Sequence, residues 1–268
     1  MKIITKNLLF ACSLSIFYIA CAPVSRQNTA PVLEPVWSDE FNYNGLPDST
    51  KWNYDTGGHG WGNNELQYYT RARKENARVE NGHLIIEAHK EPWEGSEYTS
   101  ARLITKGKGD WKYGKIEVRA RIPAGRGTWP AIWMLGSATP LKWPDDGEID
   151  IMEHVGYNQG FIHASVHTKK YHHSIGTQKT DTVFLPDCSD RFYVYSVEWN
   201  EKNVSVAVDG KTFFSFDNEA TGKEAWPFDD PFYLLLNVAV GGNWGGVKGV
   251  DPNLYPVRME IDYVRVYQ

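Results

Sequence analysis

The sequence predicts an all-β chain, folded as an antiparallel sandwich or barrel, and three observations carry that expectation. Apolar residues alternate with polar ones at period two through most of the chain. Gly, Pro, Asn and Asp cut these runs at regular intervals, as turns would. Helical periodicity is nearly absent after the first twenty residues. A strand sends successive side chains to opposite faces, so a half-buried strand reads as this alternation, whereas a helix repeats every third or fourth residue. Two large sheets packed face to face, one of them curved into a cleft, is the architecture expected.

The first element lies outside that fold. Residues 1–20 read as an export signal: Lys2 and Lys6 supply a positive end, and Leu8 to Ala20 an apolar run too short for a membrane span. Cys21 follows Ile19-Ala20, and a polar, Pro-containing stretch runs from Pro23 to Pro35. Residues 21–35 thus read as a tether and residues 36–268 as one domain. This N-terminus resembles a bacterial lipoprotein signal, which implies a lipid on Cys21 and a place at the cell envelope or surface. Tyr18 stands where such signals carry an aliphatic residue, and simple cleavage with secretion is the alternative. With Cys21 lipidated, Cys188 is the one cysteine left in the mature chain, so no internal disulfide forms and the core must hold the domain.

Within the domain, the strands expected in order include His83–His89 and Gly114–Ile122, each alternating cleanly. Phe161–His167 follows the acidic segment discussed below, with His163 and His167 on one alternation. Phe192–Trp199 comes next. Val204–Asp209 then turns at Gly210 into Thr212–Phe216, which reads as a hairpin. Arg258–Tyr267 closes the chain. No internal repeat or second domain interrupts this series.

Composition narrows the function. The 268 residues carry a formal net charge of −5, which argues against a nucleic-acid partner. Eleven Trp and fifteen Tyr are more than a β core needs, since a buried indole N–H wants a partner. Flat aromatic side chains also stack on the apolar face of a pyranose ring, so a carbohydrate ligand is expected.

The densest chemical signal is Asp145-Asp-Gly-Glu-Ile-Asp-Ile-Met-Glu-His154. Glu148 and Asp150 share one face of a strand, while simple alternation would bury Glu153 beside Ile149 and Ile151. An unpaired buried carboxylate is costly. A β-bulge near Ile151-Met152, with Met152 as the extra residue, returns Glu153 to the face of the other two acids. The two Glu Cα atoms then lie roughly 13 Å apart along the strand, within reach of each other through long side chains. Such a pair suits glycoside hydrolysis, one acid as nucleophile and one as proton donor, with Asp150 between them. A solvated acidic strand or a calcium site would show the same residues.

Glu148-Ile-Asp-Ile-Met-Glu153 resembles the signature of glycoside hydrolase family 16, in the bulged form of laminarinases. The resemblance extends over Trp37-Ser-Asp-Glu-Phe41, Trp61-Gly-Asn-Asn-Glu-Leu-Gln-Tyr-Tyr69, Thr99-Ser-Ala-Arg-Leu103 and Tyr113-Gly-Lys-Ile-Glu117. It continues through Gly127-Thr-Trp-Pro-Ala-Ile-Trp-Met-Leu135, Gly241-Gly-Asn-Trp-Gly245 and Ile261-Asp-Tyr-Val-Arg-Val-Tyr267. It implies a β-jelly roll with a cleft along a concave sheet. It further implies Glu148 as nucleophile, Asp150 as its assisting carboxylate and Glu153 as general acid/base. Trp129 and Trp133 would stack sugars on the non-reducing side of the cut, with core packing as the alternative. Asn63 and Arg102 would bond sugar hydroxyls, with a surface salt bridge as the alternative for Arg102; His167 would orient a carboxylate or a hydroxyl, with a satisfied core or rim histidine as the alternative; and Trp244 would line the cleft. Glu40, Gly82 and Asp262 match contributors to a structural calcium, the first two through backbone carbonyls.

The activity expected is a retaining endo-β-1,3-glucanase, acting as a monomer on β-glucan without an organic cofactor. Mixed-linkage β-1,3-1,4-glucan hydrolysis is the alternative within the same fold. A non-catalytic glycan-binding lipoprotein is a further one, disfavoured because both Glu residues are present. No third ligand at zinc spacing joins His163, His167, His172 and His173.

Overall fold

The computed structural model describes Met1 and residues 34–268. The export signal, Cys21 and most of the expected tether lie outside the described residues.

Eighteen strands among the described residues form two stacked sheets. The ten-stranded sheet runs, edge to edge, through Lys211–Asp217, Asn203–Val208, Tyr193–Trp199, Gly114–Arg121, Val257–Tyr267, His83–Trp93, Ser96–Ser100 and Gln67–Tyr69. Trp37–Asp39 adds to Val257–Tyr267, and Ala77–Glu80 to His83–Trp93. The eight-stranded sheet runs through Lys179–Phe184, Phe161–His167, Glu148–Glu153, Thr128–Gly136, Phe232–Val240, Arg102–Ile104 and Asn53–Asp55. Asp110–Trp111 pairs with Phe232–Val240. The predicted two-sheet jelly roll is therefore what the chain forms. One pairing departs from it: Gln67–Tyr69 runs parallel to Ser96–Ser100.

Alternation explains the strand faces. In Gly114–Arg121, Ile116, Val118 and Ala120 are buried and the residues between them are not. The hairpin at Asp209-Gly210 has a two-residue loop with both φ angles positive (46° and 74°), the geometry whose twist matches its strands. Phe232–Val240 breaks the alternating pattern because all nine residues are buried. A central strand covered on both faces becomes a continuous apolar run. The main core lies between the sheets and includes Trp52, Trp199, Tyr195, Phe228 and Phe232. A second small cluster of Ile104, Leu135, Tyr233 and Leu235, with Trp133 packed on it, lies apart from that core. Those residues belong to the eight-stranded sheet, so its outer face has an apolar floor.

Candidate active site

The three acids stand on that outer face. Glu148 pairs with Leu135 on one neighbouring strand and His167 on the other, and Glu153 with Ala131 and His163. The register slips by one residue between Asp150 and Glu153, so the expected bulge is present. Its extra residue differs from the expectation. Met152 pairs with Ile132, and Ile151 is the residue left unpaired against Thr128–Gly136. Ile149, Ile151 and Met152 are all fully buried, so the bulge places two successive apolar side chains in the core. Glu153 is thereby returned to the outer face.

The electrostatics of the row are unequal. Asp150 is 1% exposed, and burial followed by the neighbouring Glu148 charge raises its carboxyl well above the usual range. His167 Nε2 lies 3.2 Å from Asp150 Oδ2. Glu153 is also pushed well above its ordinary value, first by desolvation of its carboxyl and then by Asp150 and Glu148. His167 and a hydrogen bond from Trp129 Nε1, 3.0 Å from Glu153 Oε1, pull it partly back. The row thus holds two carboxyls, Asp150 beside Glu148 and Glu153 beyond it, whose charged forms are disfavoured by burial and by neighbouring carboxylates. Glu148, Asp150 and His167 each place a ligand atom within 4.8 Å of the others, the one group among the described residues that could hold a metal ion.

The remaining sequence-predicted residues surround this row, with different tasks from those expected in places. Trp129 and Trp133 share the face, as their spacing requires, but engage different partners. Trp129 bonds Glu153 and meets Trp244 edge-to-face, ring centroids 5.5 Å apart. Trp133 donates to Asn237 Oδ1 at 2.7 Å and covers the Arg102 guanidinium at 4.6 Å. The same guanidinium also lies over the Trp61 ring at 4.7 Å, while Arg102 Nε lies 3.0 Å from Asp55 Oδ2. Arg102 is therefore a planar cation fixed against two indoles, a role lysine could not fill. Asn63 donates to Glu65 Oε1 at 3.3 Å, and Glu65 also accepts from Gln67 at 2.6 Å and Tyr69 at 3.3 Å. Asn237 donates in turn to the Tyr69 hydroxyl at 3.0 Å. A cleft of about 400 Å³ opens beside this network, lined by residues including His59, Trp61, Arg102, Trp133, Trp143 and Glu148.

Sequence reasoning missed Trp143, which donates from Nε1 to Glu148 Oε2 at 2.5 Å and leans on His172 and His173. It sits in the loop before the acidic strand, five residues from Glu148, with no motif to single it out. Glu65 and Asn237 were missed too. The polar break in an otherwise apolar Phe232–Val240 was the available signal for Asn237.

Glu40, Gly82 and Asp262 lie on the other sheet, away from the acids. Glu40 follows the strand paired with Val257–Tyr267, and Gly82 forms the turn before His83. The Glu40 carboxylate accepts two bonds from Arg265, at 2.8 and 2.9 Å, which leaves its backbone carbonyl as the ligand the resemblance implies. The Asp262 carboxylate accepts from Arg119 at 2.5 Å. One carboxylate shared with a guanidinium and two carbonyls make a thin oxygen set for calcium.

Comparison with known proteins agrees with this geometry. The sequence model described as glycosyl hydrolases family 16 matches residues 64–265. A β-glucanase of Rhodothermus marinus is 58% identical over 254 residues, covering 91% of this chain and 88% of its own. The crystal structure of the laminarinase from Rhodothermus marinus superimposes with a TM-score of 0.87 at 55% identity, covering 90% of this chain and 99% of that one. A non-specific endo-β-1,3(4)-glucanase of the same family superimposes with a TM-score of 0.84 at 50% identity, over 88% of this chain and 91% of that one. Sequence, fold and the bulged acid row lead to one assignment: the chain belongs to glycosyl hydrolases family 16.

Proposed function

We propose that the chain is a retaining endo-β-1,3-glucanase that cuts internal bonds of β-glucan. The observation that carries this reading is the row of Glu148, Asp150 and Glu153 on the cleft face, returned to one side by the bulge. Relatives described as laminarinase and β-glucanase support the substrate class.

In this mechanism the Glu148 carboxylate attacks the anomeric carbon while Glu153 passes its proton to the departing glycosidic oxygen. The carbon–oxygen bond breaks, and a glycosyl ester forms on Glu148. Water enters, Glu153 now takes its proton, and the ester is displaced with release of the β anomer and regeneration of both acids. Asp150, kept neutral by burial and by Glu148, hydrogen-bonds the nucleophile and adds no second negative charge beside it. Arg102, Asn63 and the indoles of Trp61 and Trp133 line the adjoining cleft, where they hold sugars of the chain being cut. No cofactor enters these steps. Sequence also supports export with a lipid on Cys21, as an anchor at the cell envelope.

Reducing-sugar release from laminarin and from barley mixed-linkage glucan, with product sizing, tests the reading. Faster formation of short oligosaccharides from laminarin is expected. A strong preference for the barley glucan would keep the mechanism and move the specificity to mixed-linkage chains. Full activity in Glu148→Gln would refute the mechanism itself.

A further inference from the structure

The strands on the far side of the acids from Arg102 end in a feature that the mechanism above leaves unused. Phe161 and Phe184 are directly paired across adjacent strands and are 39% and 56% exposed. Their rings meet with centroids 4.9 Å apart at 43°. Ile162, Ala164 and Val166 are fully buried in the core, so the alternate positions 161, 163, 165 and 167 face the cleft side with the acids. Phe184, as the direct partner of Phe161, shares that face.

The pair lies on the same strand face as an aromatic series that begins at the proton donor. Trp129 bonds Glu153, Trp244 meets Trp129, and His163 meets Trp244 with centroids 4.9 Å apart. His163 is the register partner of Glu153, and Phe161 lies two residues further, roughly 7 Å along the strand. The Phe184 ring lies close against Gly160: a Cβ added there would fall 2.8 Å from Phe184 Cε2. The Phe184 ring is thus seated against the turn that leads into the Phe161 strand. Thr182, across from His163, offers a hydroxyl in the same row.

We propose that Phe161 and Phe184 form a stacking subsite for a pyranose ring of the leaving-group portion of the β-glucan, beyond the sugar joined at the cut. The inference rests on Glu153 as general acid, because the group that protonates the departing oxygen faces the departing sugars. Two exposed apolar rings, the Thr182 hydroxyl beside them and a place on the acids' face two residues beyond the register partner of Glu153 match a neutral glycan, whose ring faces are apolar and whose edges are hydroxylated. The subsite would favour long chains over short ones and would hold the acceptor when another sugar replaces water.

The test compares wild type, Phe161→Ala/Phe184→Ala and Phe184→Trp on β-1,3-gluco-oligosaccharides of increasing length. An aryl β-laminaribioside, whose leaving group ends at the cut, serves as internal control. The double alanine variant should lose about tenfold in kcat/KM on long oligosaccharides and laminarin. It should keep the wild-type rate on the aryl substrate and an unchanged melting temperature. Phe184→Trp should retain or exceed wild-type activity on long chains. Equal rates at every length would overturn the subsite, and so would an equal loss on every substrate including the aryl control. A change in sedimentation mass without a length-dependent rate change would make the pair a self-association surface instead. A wild type inert on all β-glucans would refute the proposed function first, an outcome distinct from a length-independent variant.

Discussion

Replacing Glu153 by Gln removes the proton that the mechanism needs while preserving the local structure. The amide oxygen still accepts from Trp129 Nε1, now 3.0 Å from Glu153 Oε1, and the partly exposed site needs no repacking. General acid catalysis contributes about 10²–10⁴-fold, equivalent to about 3–5 kcal/mol of barrier, so laminarin hydrolysis should fall by that factor. The loss should depend on the leaving group. An aryl glycoside with a good leaving group departs without a proton, so formation of the glycosyl enzyme should be nearly spared. The second step still lacks a base, and azide, which needs none, should restore turnover and yield a β-glycosyl azide. The pH profile gives an independent reading. Glu153 must be protonated for the first step, and its pKa is raised by desolvation and by its acidic neighbours. Wild-type kcat/KM should therefore hold above the ordinary carboxylate range and fall as pH rises through the Glu153 pKa. That alkaline limb should vanish in Glu153→Gln with the aryl substrate. Stopped-flow burst kinetics and product NMR measure both. An equal loss on laminarin and on the aryl glycoside, with no azide product, would refute Glu153 as acid/base.

Other perturbations follow from single contacts. Trp129→Phe removes a bond that favours the Glu153 anion, so the alkaline limb of kcat/KM should move to higher pH; an unmoved limb would deny the contact that role. Arg102→Lys keeps the charge but loses the planar fit against Trp61 and Trp133, and kcat/KM on laminarin should drop about tenfold, the equivalent of about 1.4 kcal/mol. Wild-type kinetics in that variant would show the stacking to be dispensable. His154 has its pKa lowered from 6.5 to about 4 by burial and by His163, so the unfolded chain takes up its proton first as pH falls. Stability should decline by about 3 kcal/mol between pH 6.5 and 4 through this group, a decline that His154→Phe should flatten in urea titrations. Cys21→Ser should move the expressed full chain from the detergent phase to the aqueous phase in Triton X-114 partitioning; identical partitioning would exclude a lipid on Cys21.

Much of the site was legible because its parts are local. Glu148, Asp150 and Glu153 lie within six residues, and the energetic cost of burying Glu153 was enough to demand a bulge there. Which residue the bulge displaces was not legible, since that depends on which residue pairs with Ile132 of the neighbouring strand, and the unpaired residue there proved to be Ile151 rather than Met152. Trp129 and Trp133 were correctly placed on one face by their spacing. Their separate tasks, one on Glu153 and one on Asn237 and Arg102, depend on what neighbouring strands bring opposite them. Trp143 could not be found at all, because a loop tryptophan carries no periodicity and its partner is set by how the loop closes over Glu148.

By itself the sequence determined that this chain is all-β, which residues of the cleanly alternating strands face the core, where its hairpin turns and which three acids share a face. Those properties follow from period two and from the cost of burying a charge, both of which act over a few residues. Tertiary structure alone decided that Asn237 meets Trp133 and Tyr69, that Arg102 is held against two indoles, and that two phenylalanines end the row beyond Glu153. Strand order and register are set by the packing of two whole sheets, and residues a hundred positions apart become neighbours only when that packing is complete.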